Sequence, residues 1–263
     1  MITCELMGGL GNQLFQIFTV ISYSIRHSVP FTFRYSETLK IGRERPTYWN
    51  TLLKSLKLYT SADDECFNIE CWYNEPSFRF SEIPKVENCC FCGYFQSYKY
   101  FEENKKTIIS VCGLDQQRRP IQKAISIHFR MGDFKHLQEY HPILGVEYYE
   151  NALRYIEEHT DGDYTILVFC ESEDQDAVRK IIKCIDINYQ VAFIDDSIPD
   201  WEQMLMMSSC EINVIANSTF SWWGAYLNDS PNRIVLYPSV WFGNNLRHDI
   251  SDLFPPDWRK IEC

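Results

Sequence analysis

Apolar and polar positions alternate first with the period of a strand and then with that of a helix. Ile2-Thr3-Cys4-Glu5-Leu6 reads as a first strand that breaks at Gly8-Gly9-Leu10-Gly11-Asn12-Gln13. After this break Leu14, Phe15, Ile17, Phe18, Ile21 and Ile25 keep helical spacing. Pro30 to Phe33 predicts a second strand, whereas the stretch to Phe80, with Arg43, Arg45 and Trp49, has no assignable period. Cys89 to Phe95 alternates into another strand, and the aromatic run Tyr98, Tyr100, Phe101 follows. Such a run serves sugar stacking or, more commonly, core packing. Gly113 to Pro120 has the polarity of an interdomain connection and divides the chain into 1–115 and 116–263.

The second half is more regular. Ala124, Ile125 and Ile127 form the approach of a short buried strand that ends at Gly132-Asp133. A helix over Glu147 to His159 buries Tyr148, Tyr149, Ala152, Leu153 and Ile156. Thr165 to Phe169 is a strand, and Ala177, Val178, Ile181 and Ile182 mark the next helix. Val191 to Ile194, Trp201 to Met207 and Glu211 to Ala216 continue as strand, helix and strand. This alternation predicts an α/β fold with a parallel, doubly wound sheet.

The chain has 263 residues, enough for one large domain or two smaller ones with real cores. A net charge of −11 and a pI near 5.0 argue against nucleic acid as the main partner, because phosphate-backbone binding needs a basic face. An anionic ligand would then depend on locally concentrated cations. No window approaches the roughly 20 apolar residues of a membrane helix, and the N-terminus lacks the pattern of a signal peptide. The expectation is a soluble, cytoplasmic protein without a membrane span. Eleven cysteines are then expected to be reduced and mostly buried. Cys89 and Cys92 have C-x-x-C spacing, but no second pair or nearby His completes a zinc set. Asn217-Ser218-Thr219 and Asn228-Asp229-Ser230 are sequons, which matter only in a secretory compartment.

Candidate chemistry concentrates where strands end. The loop after Ile127 offers His128, Arg130 and Asp133 within six positions. Arg130 is the strongest candidate, because a guanidinium stays charged and its planar fork matches phosphate oxygens. The alternative is a salt-bridged loop. The Gly8 to Gln13 turn lets backbone approach a ligand closely, but its G-G-x-G spacing lacks the third glycine of the dinucleotide fingerprint. Asn12 there either orients a hydroxyl-rich ligand or caps the helix. Cys170-Glu171-Ser172-Glu173-Asp174 supplies carboxylates that can accept the N1-H and N2 amine of a guanine, or that simply favour the following helix dipole. Asn217-Ser218-Thr219-Phe220-Ser221 brings small hydroxyl residues to a strand-to-helix turn, where side chains and backbone N–H groups can hold a phosphate.

Three segments, G-G-L-G-N-Q-L-F-Q at Gly8 to Gln16, H-F-R-M-G-D at His128 to Asp133 and N-S-T-F-S-W-W-G-A at Asn217 to Ala225, together resemble glycosyltransferase family 11, the α-1,2-fucosyltransferases that use GDP-fucose. G-Y-F-Q-S-Y-K-Y-F at Gly93 to Phe101 resembles a further family segment. The resemblance implies a GT-B architecture, with two Rossmann-like domains facing across a cleft, acceptor contacts mainly from residues 1–115 and GDP-fucose in 116–263. It also implies an inverting transfer that needs no metal or other cofactor, from GDP-β-L-fucose to a glycan acceptor, in the family a galactose 2-hydroxyl. By position Arg130 would hold the diphosphate, with His128 beside the nucleotide and Asn217 to Ser221 around the phosphates. Gly11, Asn12 and Gln13 would face the donor sugar and Glu171 the guanine. Met131 stands where the family usually has a second Arg, and Cys170-Glu171-Ser172 replaces the usual Ser-Asp-Asp. Asp133, Glu139, His136 and His141 are the candidates for a general base, Asp133 foremost.

Overall fold

In a computed structural model, which describes residues 1–40, 43–186 and 188–263, the opening strand β1 (Ile2–Cys4) passes through Gly8 and Gly9 into α1 (Leu10–His27). The helix therefore begins four residues before the first residue of the predicted stripe. Gly9 is its N-cap and no side chain caps it, so Asn12 is not a cap. There follow β2 (Phe33–Arg34), β3 (Thr38–Leu39), β4 (Arg45–Pro46), β5 (Thr60–Ser61), β6 (Cys71–Asn74), β7 (Cys89–Cys92) and α2 (Lys105–Cys112). The second half contributes β8 (Ile121–His128), α3 (Val146–His159), β9 (Thr165–Phe169), α4 (Gln175–Cys184), β10 (Gln190–Phe193), α5 (Asp200–Ser209), β11 (Cys210–Val214), α6 (Thr219–Tyr226), β12 (Ile234–Pro238) and β13 (Arg259–Ile261). These elements belong to two units, Met1–Gln117 with Asp249–Pro255, and Arg118–His248 with Pro256–Cys263.

In the first unit β1, β7 and β6 form a parallel sheet in the order β1-β7-β6, and β2 pairs in parallel with β5. Backbone bonds from Ile2 to Pro30 (2.8 Å) and from Thr32 to Ile2 (3.0 Å) tie the two together. The long helix α1 is buried around most of its circumference, because β1 lies on one side and α2 and the turn Tyr98–Tyr100 on the other. Phe101 fills the joint, 5.9 Å from the Phe15 ring and 5.6 Å from that of Phe18. The aromatic run after β7 thus goes to the core at Tyr100 and Phe101. The predicted strand to Phe95 stops at Cys92. The buried Glu75 carboxylate accepts the N–H groups of Tyr94 (2.9 Å) and Phe95 (3.0 Å), and Phe95 turns to a positive φ of 53°. A donor captured by a side chain cannot continue the ladder.

Asp249–Pro255 completes this unit. Asp252 pairs with Lys99 and its carbonyl accepts from the Ser97 hydroxyl at 2.7 Å, while Leu253 and Phe254 are buried.

The second unit is a single six-stranded parallel sheet, order β10-β9-β8-β11-β12-β13. Successive strands run outward in one direction from β8 and then in the other from β11. The crossover reverses between these neighbours, and such a switch point opens a crevice beyond the carboxyl ends of the strands. The core beneath it is aliphatic and aromatic, from Ile125, Ile127, Val168 and Val214 to Tyr148 and Tyr149.

All eleven cysteines are unpaired and six of them are buried. Both sequon asparagines are buried with their amides committed, Asn217 to the carbonyls of Pro142 and Trp241 and Asn228 to that of Cys210. No helix among the described residues is long and apolar enough to cross a membrane.

Candidate functional site

The carboxyl ends of β8, β9 and β11 bring three of the candidate segments to the switch point of the second unit. Beyond β8 the chain runs through Phe129, whose N–H is held by the Phe169 carbonyl at 2.9 Å, into the tight turn Gly132–His136. Gly132 has φ +27°, a conformation that favours glycine, and a Cβ there would stand 2.5 Å from a Glu171 carboxylate oxygen, which would have to move aside. Arg130 projects from this turn. Its guanidinium pairs through one nitrogen with Glu171 and through the other with Asp133, and lies 5.0 Å over the Phe134 ring. Its side chain is 22% exposed, so the charge is partly desolvated yet reachable.

A buried carboxylate fixes the turn. Asp174, 1% exposed, accepts the Gly132 N–H at 2.9 Å and pairs with the Lys135 ammonium at 2.5 Å, gripping both ends of the same short turn. Lys135 also reaches Glu173 at 3.6 Å. Glu171, Glu173 and Asp174 have carboxylate oxygens within 4.8 Å of one another. Each of the three faces a cation from the Arg130 turn. Beside them, Asp196 accepts the N–H and the hydroxyl of Ser172 at 3.2 and 2.8 Å.

His128 ends β8 almost fully buried. Burial, seconded by the Arg130 charge, pushes its pKa down to about 3, so the ring is neutral near physiological pH. Its Nδ1 is buried without a hydrogen-bond partner among the described residues. The ring lies 5.6 Å from that of Phe220, which bridges the ends of β8 and β11. After β11, Ser218 caps α6, its hydroxyl accepting the Phe220 N–H at 3.3 Å. Ser221 instead turns its hydroxyl inward, to the carbonyls of Ser218 and Ala216. The turn thus presents Ser218, Thr219 and Phe220 partly exposed, with Asn217 and Ser221 beneath them.

The four base candidates separate. Asp133 touches Arg130, and His141 feels both of these charges. Burial holds the His141 pKa below the usual value despite the Asp133 charge, and the ring stacks on Phe134 at 4.8 Å. Glu139 accepts instead from the Asn245 amide at 2.8 Å, and His136 is exposed.

The first unit holds Gly11, Asn12 and Gln13 in the first turn of α1. Gly11 is buried, and the Gln13 amide donates to the carbonyls of Gly8 (3.0 Å) and Pro46 (2.9 Å), which makes it a brace of the loop. Asn12 accepts from the Gln96 amide at 3.1 Å and is the most open of the three.

Lys135, Asp174 and Asp196 form the part of the site that sequence reading did not assemble. The signal was there only as charge density at the ends of two strands. Partners 39 positions apart meet because β8 and β9 are in register from Ala124 with Thr165 to His128 with Phe169.

Residues 1–262 match the profile of the family described as Glycosyl transferase family 11. A curated relative from Escherichia coli, O-antigen biosynthesis glycosyltransferase WbnK, is 32% identical over 195 residues, 65% of this chain and 63% of that protein's own length. The alpha-1,2-colitosyltransferase of Escherichia coli is 25% identical over 303 aligned positions that cover 99% of both chains. Among solved structures, ADP-heptose lps heptosyltransferase II of E. coli superposes with a TM-score of 0.51 at 11% identity, over 99% of this chain and 89% of that one. That likeness bears on the fold, which is the α/β GT-B fold.

Proposed function

The chain belongs to glycosyl transferase family 11, and from that premise we propose that it is an inverting transferase moving L-fucose from GDP-β-L-fucose to a glycan hydroxyl, with α-1,2 linkage to galactose. The observation that carries the reading is Arg130, held by Asp133 and Glu171 at the carboxyl ends of β8 and β9, two residues after His128, whose ring meets Phe220 of the α6 turn. As the sugar leaves, negative charge grows on the β-phosphate while the ring becomes cation-like. A fixed guanidinium stabilises that charge more in the transition state than in the ground state. The α6 turn adds the field of a helix N-terminus on the same side.

Arg130 exchanges its carboxylate partners for phosphate oxygens when the donor enters. Glu171, then released, serves as the acceptor for the guanine edge. Asp133, released likewise, takes the acceptor proton, with neutral His141 next to it. His128 contributes a neutral ring against the nucleotide. Gly11, Asn12 and Gln13 make the donor-sugar loop, with Asn12 as its polar contact. Lys135 neutralises Glu173 and Asp174 while Arg130 is engaged by the donor, and in this reading transfer needs no metal or other cofactor. The cytoplasm is the compartment this reading assigns.

The relative that aligns over its full length is named for colitose, and favours a second reading, colitosyl transfer. Colitose is fucose without its 3-hydroxyl, so a site built to bond that hydroxyl discriminates strongly between the donors. A transfer assay to a β-galactoside with GDP-fucose and GDP-colitose, in chelator, decides. Turnover with GDP-fucose supports the first reading. Turnover with GDP-colitose alone establishes the second, and turnover with neither overturns both.

A further inference from the structure

The first unit contains a cavity of about 380 Å³ whose lining includes Thr3, Glu5, Arg34, Thr38, Lys40 and Trp72. It lies against the sheet face on which Thr3, Cys90 and Trp72 stand in one register row across β1, β7 and β6. Two features are costly unless something binds. The Trp72 indole is 58% exposed, a large apolar ring left in water. Thr3 is 3% exposed, and its hydroxyl has no hydrogen-bond partner among the described residues.

We propose that this cavity holds a hexopyranose ring of the glycan acceptor. A pyranose has an apolar C–H face that suits an indole and a rim of hydroxyls that both donate and accept. Thr3 can exchange hydrogen bonds with such a rim, and the exposed Glu5 carboxylate can accept from it. At the edge of the cavity Arg34 pairs with Asp64 and lies on the Phe67 ring at 4.5 Å. That the sugar is part of an acceptor rests on the glycosyltransferase reading.

The test is a ligand-observed NMR titration of the whole chain with methyl β-D-galactopyranoside and methyl β-D-glucopyranoside. It uses wild type, Trp72→Ala and Thr3→Val, and each sample is also titrated with GDP. Wild type should bind at least one glycoside. Trp72→Ala should weaken that binding tenfold or more and Thr3→Val threefold or more, with GDP affinity unchanged in both. Thr3→Val keeps the side-chain shape, so it tests the hydroxyl even where loss of the indole disturbs the sheet. Binding of neither glycoside to wild type, or wild-type affinity in both variants, overturns the proposal. GDP binding by wild type is read separately, and its absence would count against the donor site and not against the cavity.

Discussion

Arg130 brings a positive charge between two carboxylates, Asp133 of the following turn and Glu171 at the end of β9, and this balance keeps a half-desolvated guanidinium in place before any ligand arrives. A diphosphate offers the same fork a better-matched acceptor. Arg130→Ala should therefore lower the transfer rate by about 10²–10³-fold, the scale seen when one preorganised donor to a developing charge is removed. The far-ultraviolet dichroism should stay unchanged, since the side chain lies at the rim of the core. His128 sets a pH limit of a different kind. Its pKa falls from the usual value near 6.5 to about 3 on folding, so the unfolded chain binds the extra proton in that interval. Stability from this group is complete above about pH 6.5 and drains away as pH falls toward 3, about 2 kcal/mol of it by pH 5. Denaturant melts of wild type and His128→Asn at pH 7 and pH 5 should show the variant losing less on acidification. Equal losses would show that His128 is not held neutral.

At the scale of elements, the site depends on how closely turns and helices approach. Removing the Asp174 carboxylate leaves the buried Gly132 N–H unpaired, so Asp174→Ala should cost about 1–3 kcal/mol. It should also slow transfer by loosening the Arg130 turn, whereas Asp174→Asn, which keeps an acceptor oxygen, should recover part of the rate. On the other side, a Cβ on Gly224 would stand 2.7 Å from the Met207 Cβ, because α6 packs tightly on α5. Gly224→Ala should destabilise by about 1–3 kcal/mol through overpacking, measured by thermal melting. Much of this framework can be read in the sequence. Thr165–Phe169 is five consecutive apolar or β-branched residues and forms the strand predicted. The sequence marks Arg130 by its place in a polar turn after an apolar run, and the structure pairs it with Asp133 and Glu171, the ion-paired loop that is the alternative reading of that segment. What was not legible depends on tertiary partners. The strand from Cys89 ends early because Glu75 captures two N–H groups, and β13, with three residues, has no period to detect. Lys135 and Asp174 become a pair only through the register of β8 and β9.

At the scale of the whole molecule the chain does not divide at one point, since Asp249–Pro255 belongs to the first unit. Leu253 is 1% exposed there. Leu253→Ala should cost about 2–5 kcal/mol in a denaturant melt, as expected for a core leucine. The other molecular property is charge. At −11 net, the protein repels anions on average, so any affinity for a nucleoside diphosphate must come from a local cation. The most direct test of that claim is a calorimetric titration of wild type and Arg130→Ala with GDP and with UDP, in chelator. The account predicts that wild type binds GDP and not UDP without metal, and that Arg130→Ala loses tenfold or more of the GDP affinity. Equal binding of the two nucleotides, or of GDP by the two proteins, would contradict it.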